Sequence, residues 1–487
     1  MSSSFIPSRQ RFKHWQPPRK AASRVAIAEE TPDAPFGPVF TEIPRSGISS
    51  TKSDGEIPKI TETQTVACFN WLEGEEPHII VPGMPPKWTP LDRPRTLKQD
   101  AGIYYRDRNA AHYPDNPLEP TVEAIMKLNP SVGDTMTVRN IDIFGCGSTL
   151  GELLRFVRGT QGTFRILVER LGKTVHLIRR GKSPLETIPN VRGYGHTFPE
   201  SYTTWDTCSR GSSSHQRVVQ FQFGGLECLV RFEGDGYLPD KAGERVKKEA
   251  LLGRQELNTP EDLAALLSIS GTASHSSKSP LKISEAGCLV PQGAVFDLKT
   301  RSIKRKDEED AIIADELPRL WIRQISTLIL AYHTCGTFRD IQIRDMRAEM
   351  AEWEELNREA LACFAKLLKQ TVDISSELQD GRMEITCKEG DDGLCFRTQT
   401  ADVKPAFSTA TESRWKAWLN HDATDGPNKP SSEEKVSVLG VVQEALNRAR
   451  GFKQRTDEEQ ADGRGLDDDT PNYTACDEEC DYCGHCK

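Results

Sequence analysis

The sequence predicts an α+β protein: a mixed central β-sheet with flanking helices, preceded by a disordered basic arm and followed by an acidic, cysteine-rich tail. Three observations carry this. Apolar residues alternate on both sides of Gly224-Gly225 in RVVQFQFGGLECLVRFE, the period-2 pattern of two strands joined by a tight hairpin. The stretches 318–333 and 347–369 instead repeat apolar residues at helical spacing. Residues 1–60 and those beyond about 420 are polar, rich in Ser, Pro and Gly or in acids, and show neither period.

With 487 residues the chain is long enough for two or three domains and for a full core. Only 36% is hydrophobic against 28% charged, so part of the length belongs to tails and insertions. The expected division is an arm (1–60), a folded domain (61–420) interrupted by a polar insert (238–292), and an acidic linker with its tail (421–487). The net charge of −9 is concentrated: residues 456–481 hold eleven acids against one arginine. The rest is close to neutral, which leaves room for a nucleic-acid substrate in a locally basic cleft. Six basic residues and no acid occupy the first 28 positions. They fit a mitochondrial transit peptide, although Pro7, Pro17 and Pro18 interrupt an amphipathic helix, or a basic arm that touches RNA or an import receptor. The compartment expected is nucleus or cytoplasm, with the mitochondrial matrix as the alternative. The most apolar stretch contains Arg323 and Gln324, so no membrane span is expected.

Along the domain, strands are expected at 65–71 and 78–81, a helix at 121–128, a strand at 137–144, and a helix at 150–157 whose start at Gly145-Cys146-Gly147-Ser148 reads as a cap. Tyr104, Tyr105, Arg106, Arg108 and Tyr113 interleave aromatic and basic groups, as base-stacking surfaces and packed loops both do. Strands at 164–169 and 174–179 follow. After the central hairpin come the insert, a strand at 294–300, the helix at 318–333, a strand at 340–343 and a long helix at 347–369. Short strands at 384–388 and 394–397 flank a GDDG turn.

Strand side chains alternate, so Arg231, Glu233 and Asp235 share one face, and Val295, Asp297 and Lys299 share another. Three carboxylates and a lysine on neighbouring strands suit Mg²⁺ or Mn²⁺ and phosphodiester chemistry. Hard cations take oxygen ligands and leave room for a phosphate and an attacking water. Gln324 falls 25 residues after Lys299.

This order of residues resembles the PD-(D/E)XK nuclease superfamily, and most nearly its DXO/Rai branch of RNA 5′-end decapping and exonuclease enzymes. Glu233-Gly-Asp235 matches that branch's Glu-x-Asp motif, and Asp297-Leu-Lys299 its Glu-x-Lys motif with Asp for Glu. GYGHTFPE offers Glu200 for the glycine-aromatic-glutamate motif. STLGELLRFVRG offers Arg155 or, preferred here, Arg158 for a phosphate-contacting arginine. The resemblance spans roughly residues 65–400. It implies a nuclease-like core, Glu233, Asp235 and Asp297 as metal ligands, and Lys299, Gln324, Glu200 and Arg158 as catalytic residues. It also implies RNA 5′ ends, or another single-stranded nucleic acid, as substrate. The alternative is a nuclease-like fold that serves as an RNA- or protein-binding scaffold. Prenyl-diphosphate chemistry is set aside because no paired D-D-x-x-D helices are present, and there is no Walker A loop.

The tail ends in CDEECDYCGHCK. Cys476, Cys480, Cys483 and Cys486 are spaced to enclose Zn²⁺, and the tails are also the expected docking elements for a protein partner. Disulfides are the other reading, but no secretory signal is visible and a reducing compartment is expected.

Overall fold

Both glycines of the central hairpin have positive φ, 59° at Gly224 and 80° at Gly225, the twist that a two-residue turn between strands requires. They join two strands of a larger sheet in the computed structural model, which describes residues 34–48, 58–129, 140–189, 191–252 and 280–420.

In chain order the elements begin with β1 (Val39–Pro44), α1 (Arg45–Ile48), β2 (Thr61–Leu72), β3 (His78–Gly83) and β4 (Lys87–Trp88). Next come α2 (Arg108–His112), α3 (Glu119–Leu128), β5 (Ile143–Cys146), α4 (Gly147–Arg158), β6 (Phe164–Leu171) and β7 (Thr174–Arg179). The middle of the chain forms α5 (Thr197–Tyr202), β8 (Thr203–Thr204), β9 (Ser212–Phe223), β10 (Leu226–Glu233), β11 (Gly236–Tyr237) and α6 (Gly243–Leu252). It continues with β12 (Lys282–Gly287), β13 (Val295–Ser302), α7 (Glu309–Arg323), β14 (Thr327–Thr334) and β15 (Thr337–Asp345). The last elements are α8 (Arg347–Leu356), α9 (Arg358–Glu377), β16 (Arg382–Cys387), β17 (Gly393–Arg397) and α10 (Thr409–Asn420).

The strands build two mixed sheets rather than the one expected. The larger has the order β1-β17-β16-β6-β7-β5-β10-β9-β2-β3-β12, and the smaller β15-β14-β13-β11-β4-β8. The chain passes from one to the other across Gly234 and Asp235, between β10 and β11. One face of the large sheet packs Val230 and Phe232 against α4, α7 and α9 through Leu153, Phe156, Leu320, Trp321 and Phe364. The other face carries Trp71, Phe144 and Leu229 beneath α3 and α10, with Val122, Ile125 and Trp415. Phe296 and Leu298 of β13 pack with Trp88, Phe198 and Phe338 under the small sheet. Each fully buried aromatic or aliphatic side chain contributes on the order of 1.5–3 kcal/mol.

Several expectations are corrected. The helix at 318–333 is instead the end of α7, with Pro318 inside it, followed by β14. β14 lies between β13 and β15 with nearly every side chain buried, so TLILAYHT is apolar on both faces and shows no alternation to separate it from a helix. The long helix breaks at Asn357 into α8 and α9. The disordered arm is folded in part, because β1 pairs with β17. The polar insert contributes α6 and the edge strand β12, which runs parallel to β3. Of the expected strand at 137–144, the part before 140 lies outside the described residues, and β5 starts at Ile143.

Candidate active site at the seam of the two sheets

β11 is two residues long and pairs with β13 on one side and β4 on the other, Gly236 opposite Phe296. A side chain at Gly236 would run into the Phe296 ring and lie 2.8 Å from the carbonyl oxygen of Pro86, so only glycine permits this approach. The pairing sets Asp235 beside β13, where its Oδ2 accepts the backbone N–H of Leu298 at 2.7 Å. Asp235 keeps part of its surface open, whereas Asp297 and Lys299 are 1% and 2% exposed.

These groups are held by α7. Arg319 pairs with one oxygen of Asp297, and Arg323 Nη1 lies 3.1 Å from the other. Lys299 Nζ is 3.0 Å from Glu316 Oε1, and Arg319 Nη2 is also 3.0 Å from Glu316 Oε2. Residues 316, 319 and 323 are spaced to share one helix face, so a single face of α7 supplies an acid and two guanidinium groups to one face of β13. Burial, followed by the charge of Asp297, raises the Asp235 carboxyl well above its usual range. Burial also pushes the Lys299 ammonium down to about 7 against the pull of Glu316, with Arg301 and Arg319 adding to the drop. Burial alone would raise Glu316, but Arg319 and Lys299 outweigh it and hold it below its ordinary value.

The other predicted residues fall elsewhere. Glu233 ends β10 in the large sheet, and its Oε1 accepts from Arg108 Nη1 at 3.1 Å. Glu200 lies on α5, whose first N–H groups are capped by Asp100. Burial and then the Asp100 charge raise its pKa, while Arg108 lowers it. Glu200 and Glu233 thus form a second patch about Arg108, joined to the first through Gly234. Gln324 is the left-handed C-cap of α7, φ 53°, rather than a residue within a helix. Its amide nitrogen donates to the Trp321 carbonyl at 2.6 Å, and its Oε1 accepts from Thr63. The guanidinium of Arg158 lies 5.6 Å above the Trp353 ring, and Arg155 pairs with Glu152. Of the aromatic-basic stretch, Tyr104 stacks on His196 and Arg106 pairs with Glu186. Cys476, Cys480, Cys483 and Cys486 lie outside the described residues.

Glu316, Arg319 and Arg323 were missed from sequence. Their i, i+3, i+7 spacing was a usable signal, but starting the helix at Pro318 separated Glu316 from the two arginines.

Among the described residues no three Asp, Glu, His or Cys side chains form a group that could hold a metal. Asp235 and Asp297 do supply hard oxygen donors at one place. Mg²⁺ is often held by one or two carboxylates while water and phosphate complete its shell, so this donor set fits such an ion on the condition that it displaces a guanidinium from Asp297.

Residues 47–389 match a family described as a domain of unknown function, DUF8563. The chain belongs to this family. No curated protein matches this DUF8563 chain. Among solved structures it is similar to Rai1 of Scheffersomyces stipitis in complex with (3′-NADP)+ and calcium ion, at 11% identity and TM-score 0.48 over 76% of this chain and 98% of that one. A mutant S. pombe Rai1 in complex with 3′-FADP matches at 10% identity and TM-score 0.47, over 74% of this chain and 99% of that one. Candida albicans Rai1 in complex with pU5-Mn²⁺ matches at 8% identity and TM-score 0.43, over 78% of this chain and 99% of that one.

Proposed function

We propose that this chain is a divalent-metal-dependent phosphohydrolase or nuclease acting on RNA 5′ ends, with Asp235 and Asp297 holding Mg²⁺ or Mn²⁺. The observation that supports it most is the β11–β13 pairing. It sets two carboxylates side by side, with Lys299 two residues further along the same face. A bound ion would polarise the phosphorus–oxygen bond and lower the pKa of water. The chain's own residues do the rest. Lys299, whose ammonium burial makes more acidic than usual, is the group assigned to take a proton from an attacking water. Glu316 fixes its Nζ in place. Arg319 and Arg323 put positive charge where negative charge develops on phosphate oxygens. Asp235, open in part, gives the side from which substrate arrives.

A second reading, a catalytically weak nuclease-like fold that binds RNA or protein, is favoured by the two guanidinium groups that already engage both oxygens of Asp297. The four tail cysteines are read as zinc ligands, so metal content with and without residues 470–487 should differ by about one equivalent.

The test is incubation of the purified chain with 5′-labelled capped, triphosphate and monophosphate RNAs, with and without Mg²⁺ or Mn²⁺. Ion-dependent release of label that Asp297→Asn removes supports the hydrolase. Binding without release under every condition selects the second reading.

A further inference from the structure

We infer that Arg323 changes partner as the site fills: it holds Asp297 in the ion-free protein and takes the substrate's 5′-phosphate once a divalent ion has taken Asp297. Ion and phosphate therefore bind cooperatively. This rests on the reading of Asp235 and Asp297 as the ion's ligands.

The two arginines on Asp297 are not equivalent. Arg319 also has Glu316 at 3.0 Å, so it keeps an acid if Asp297 is taken away. Arg323 is ion-paired with Asp297 alone among the described residues, and the other acid its charge reaches is Asp235, the second ligand assigned to the ion. Its surroundings offer little else. Nε is buried without a hydrogen-bond partner, and the guanidinium sits 6.0 Å from the centre of the Phe232 ring. A side chain at Gly147, at the start of α4, would come within 3.3 Å of that Nε. Backbone movement is restrained, because Gln292 Nε2 donates to the carbonyls of Arg323 and Gln324 at 3.0 Å each, and Arg217 Nε holds Gln292 at 2.6 Å. The side chain is what is left to move, and at 18% exposure it lies at the edge of the patch.

An ion on Asp235 and Asp297 takes both acids from this largely desolvated guanidinium and leaves it facing a cation, which is strongly unfavourable. A terminal phosphate restores the balance, and its oxygens match the planar fork of arginine. By linkage, whatever factor the phosphate adds to ion affinity, the ion adds to phosphate affinity.

The experiment is calorimetric titration of Mn²⁺ into the full chain, with and without adenosine 5′-monophosphate as the phosphate probe, correcting for Mn²⁺ bound by the nucleotide itself. The parent should bind Mn²⁺ about tenfold more tightly with the nucleotide present. Arg323→Gln should bind Mn²⁺ alone more tightly than the parent, and its response to nucleotide should shrink to about twofold or less. If Arg323→Gln does not fold, Arg323→Lys carries the test: it keeps the charge but not the fork, so coupling should fall. Equal coupling in parent and variant, or none in the parent, overturns the inference while leaving the ion site standing. Failure of every protein to bind Mn²⁺ overturns both.

Discussion

The indole N–H of Trp415 donates to Nε2 of His176 at 3.0 Å, deep between α10 and the large sheet. Nδ1 of the same ring faces the Glu169 carbonyl at 3.0 Å, so the neutral Nδ1–H tautomer satisfies both nitrogens. Burial pushes the His176 pKa from the ordinary 6.5 down to about 4. The unfolded chain takes up this proton before the folded chain does. Stability from His176 is therefore complete above pH 6.5 and is lost as pH falls toward 4, at about 1.4 kcal/mol per pH unit. Urea unfolding of the parent and of His176→Gln between pH 4 and 7 checks this. Identical slopes would show that the ring does not titrate as described.

Removal of the Asp297 charge acts on two levels. Two like charges crowded at Asp235 and Asp297 would favour stabilisation by Asp297→Asn, yet Arg319 and Arg323 both rest on Asp297. Loss of one partner of a buried pair dominates, and Asp297→Asn should cost about 3 kcal/mol in chemical denaturation. On the proposed function it should also remove ion-dependent turnover. Lys299→Met should lower turnover about a hundredfold while Mn²⁺ affinity stays near that of the parent. A Lys299→Met protein with full turnover would exclude the lysine as the proton acceptor.

Gln324 offers a sharp contrast. It occupies the left-handed C-cap, and its amide is spent on Trp321 and Thr63. Glycine is at ease in that conformation, so Gln324→Gly should fold and keep RNA hydrolysis within about twofold of the parent. A hundredfold loss would return the nucleophile-positioning role to this residue.

The hairpin glycines differ although both have positive φ. A Cβ at Gly224 would overlap that of Ala365 on α9, whereas nothing lies near Gly225. Gly224→Ala should destabilise by more than about 1 kcal/mol, and Gly225→Asn by only a few tenths. Thermal unfolding of the two variants side by side decides this, with equal shifts as the contrary result.

What was legible in the sequence followed from period. The hairpin of β9 and β10 and the pairing of Asp297 with Lys299 on one face of β13 were readable because alternation fixes which side each residue takes. β14 was not, since burial of both faces erases alternation. Arg319 and Arg323 were hidden by the same error, because a helix begun at Pro318 points its early residues without reference to Glu309–Leu317. Glu233 and Asp235, two apart in an extended run, read as one face. Nothing in their spacing announces that the sheet changes between them.

That change of sheet takes two residues, Gly234 and Asp235, between the end of β10 and the start of β11. Gly234 donates its N–H to the His215 carbonyl at 2.9 Å, and a Cβ there would be 3.2 Å from the His215 ring. The two acidic patches, one answering to Arg108 through Glu233 and the other to Arg319 and Arg323 at Asp235, are therefore two residues apart along the chain, with Gly234 between them. Gly234 works as a gauge block. A saturation library scored on RNA hydrolysis would register it as intolerant while it contacts no ion and no substrate, and one inserted residue would shift Asp235 out of reach of the Leu298 amide without unfolding either sheet.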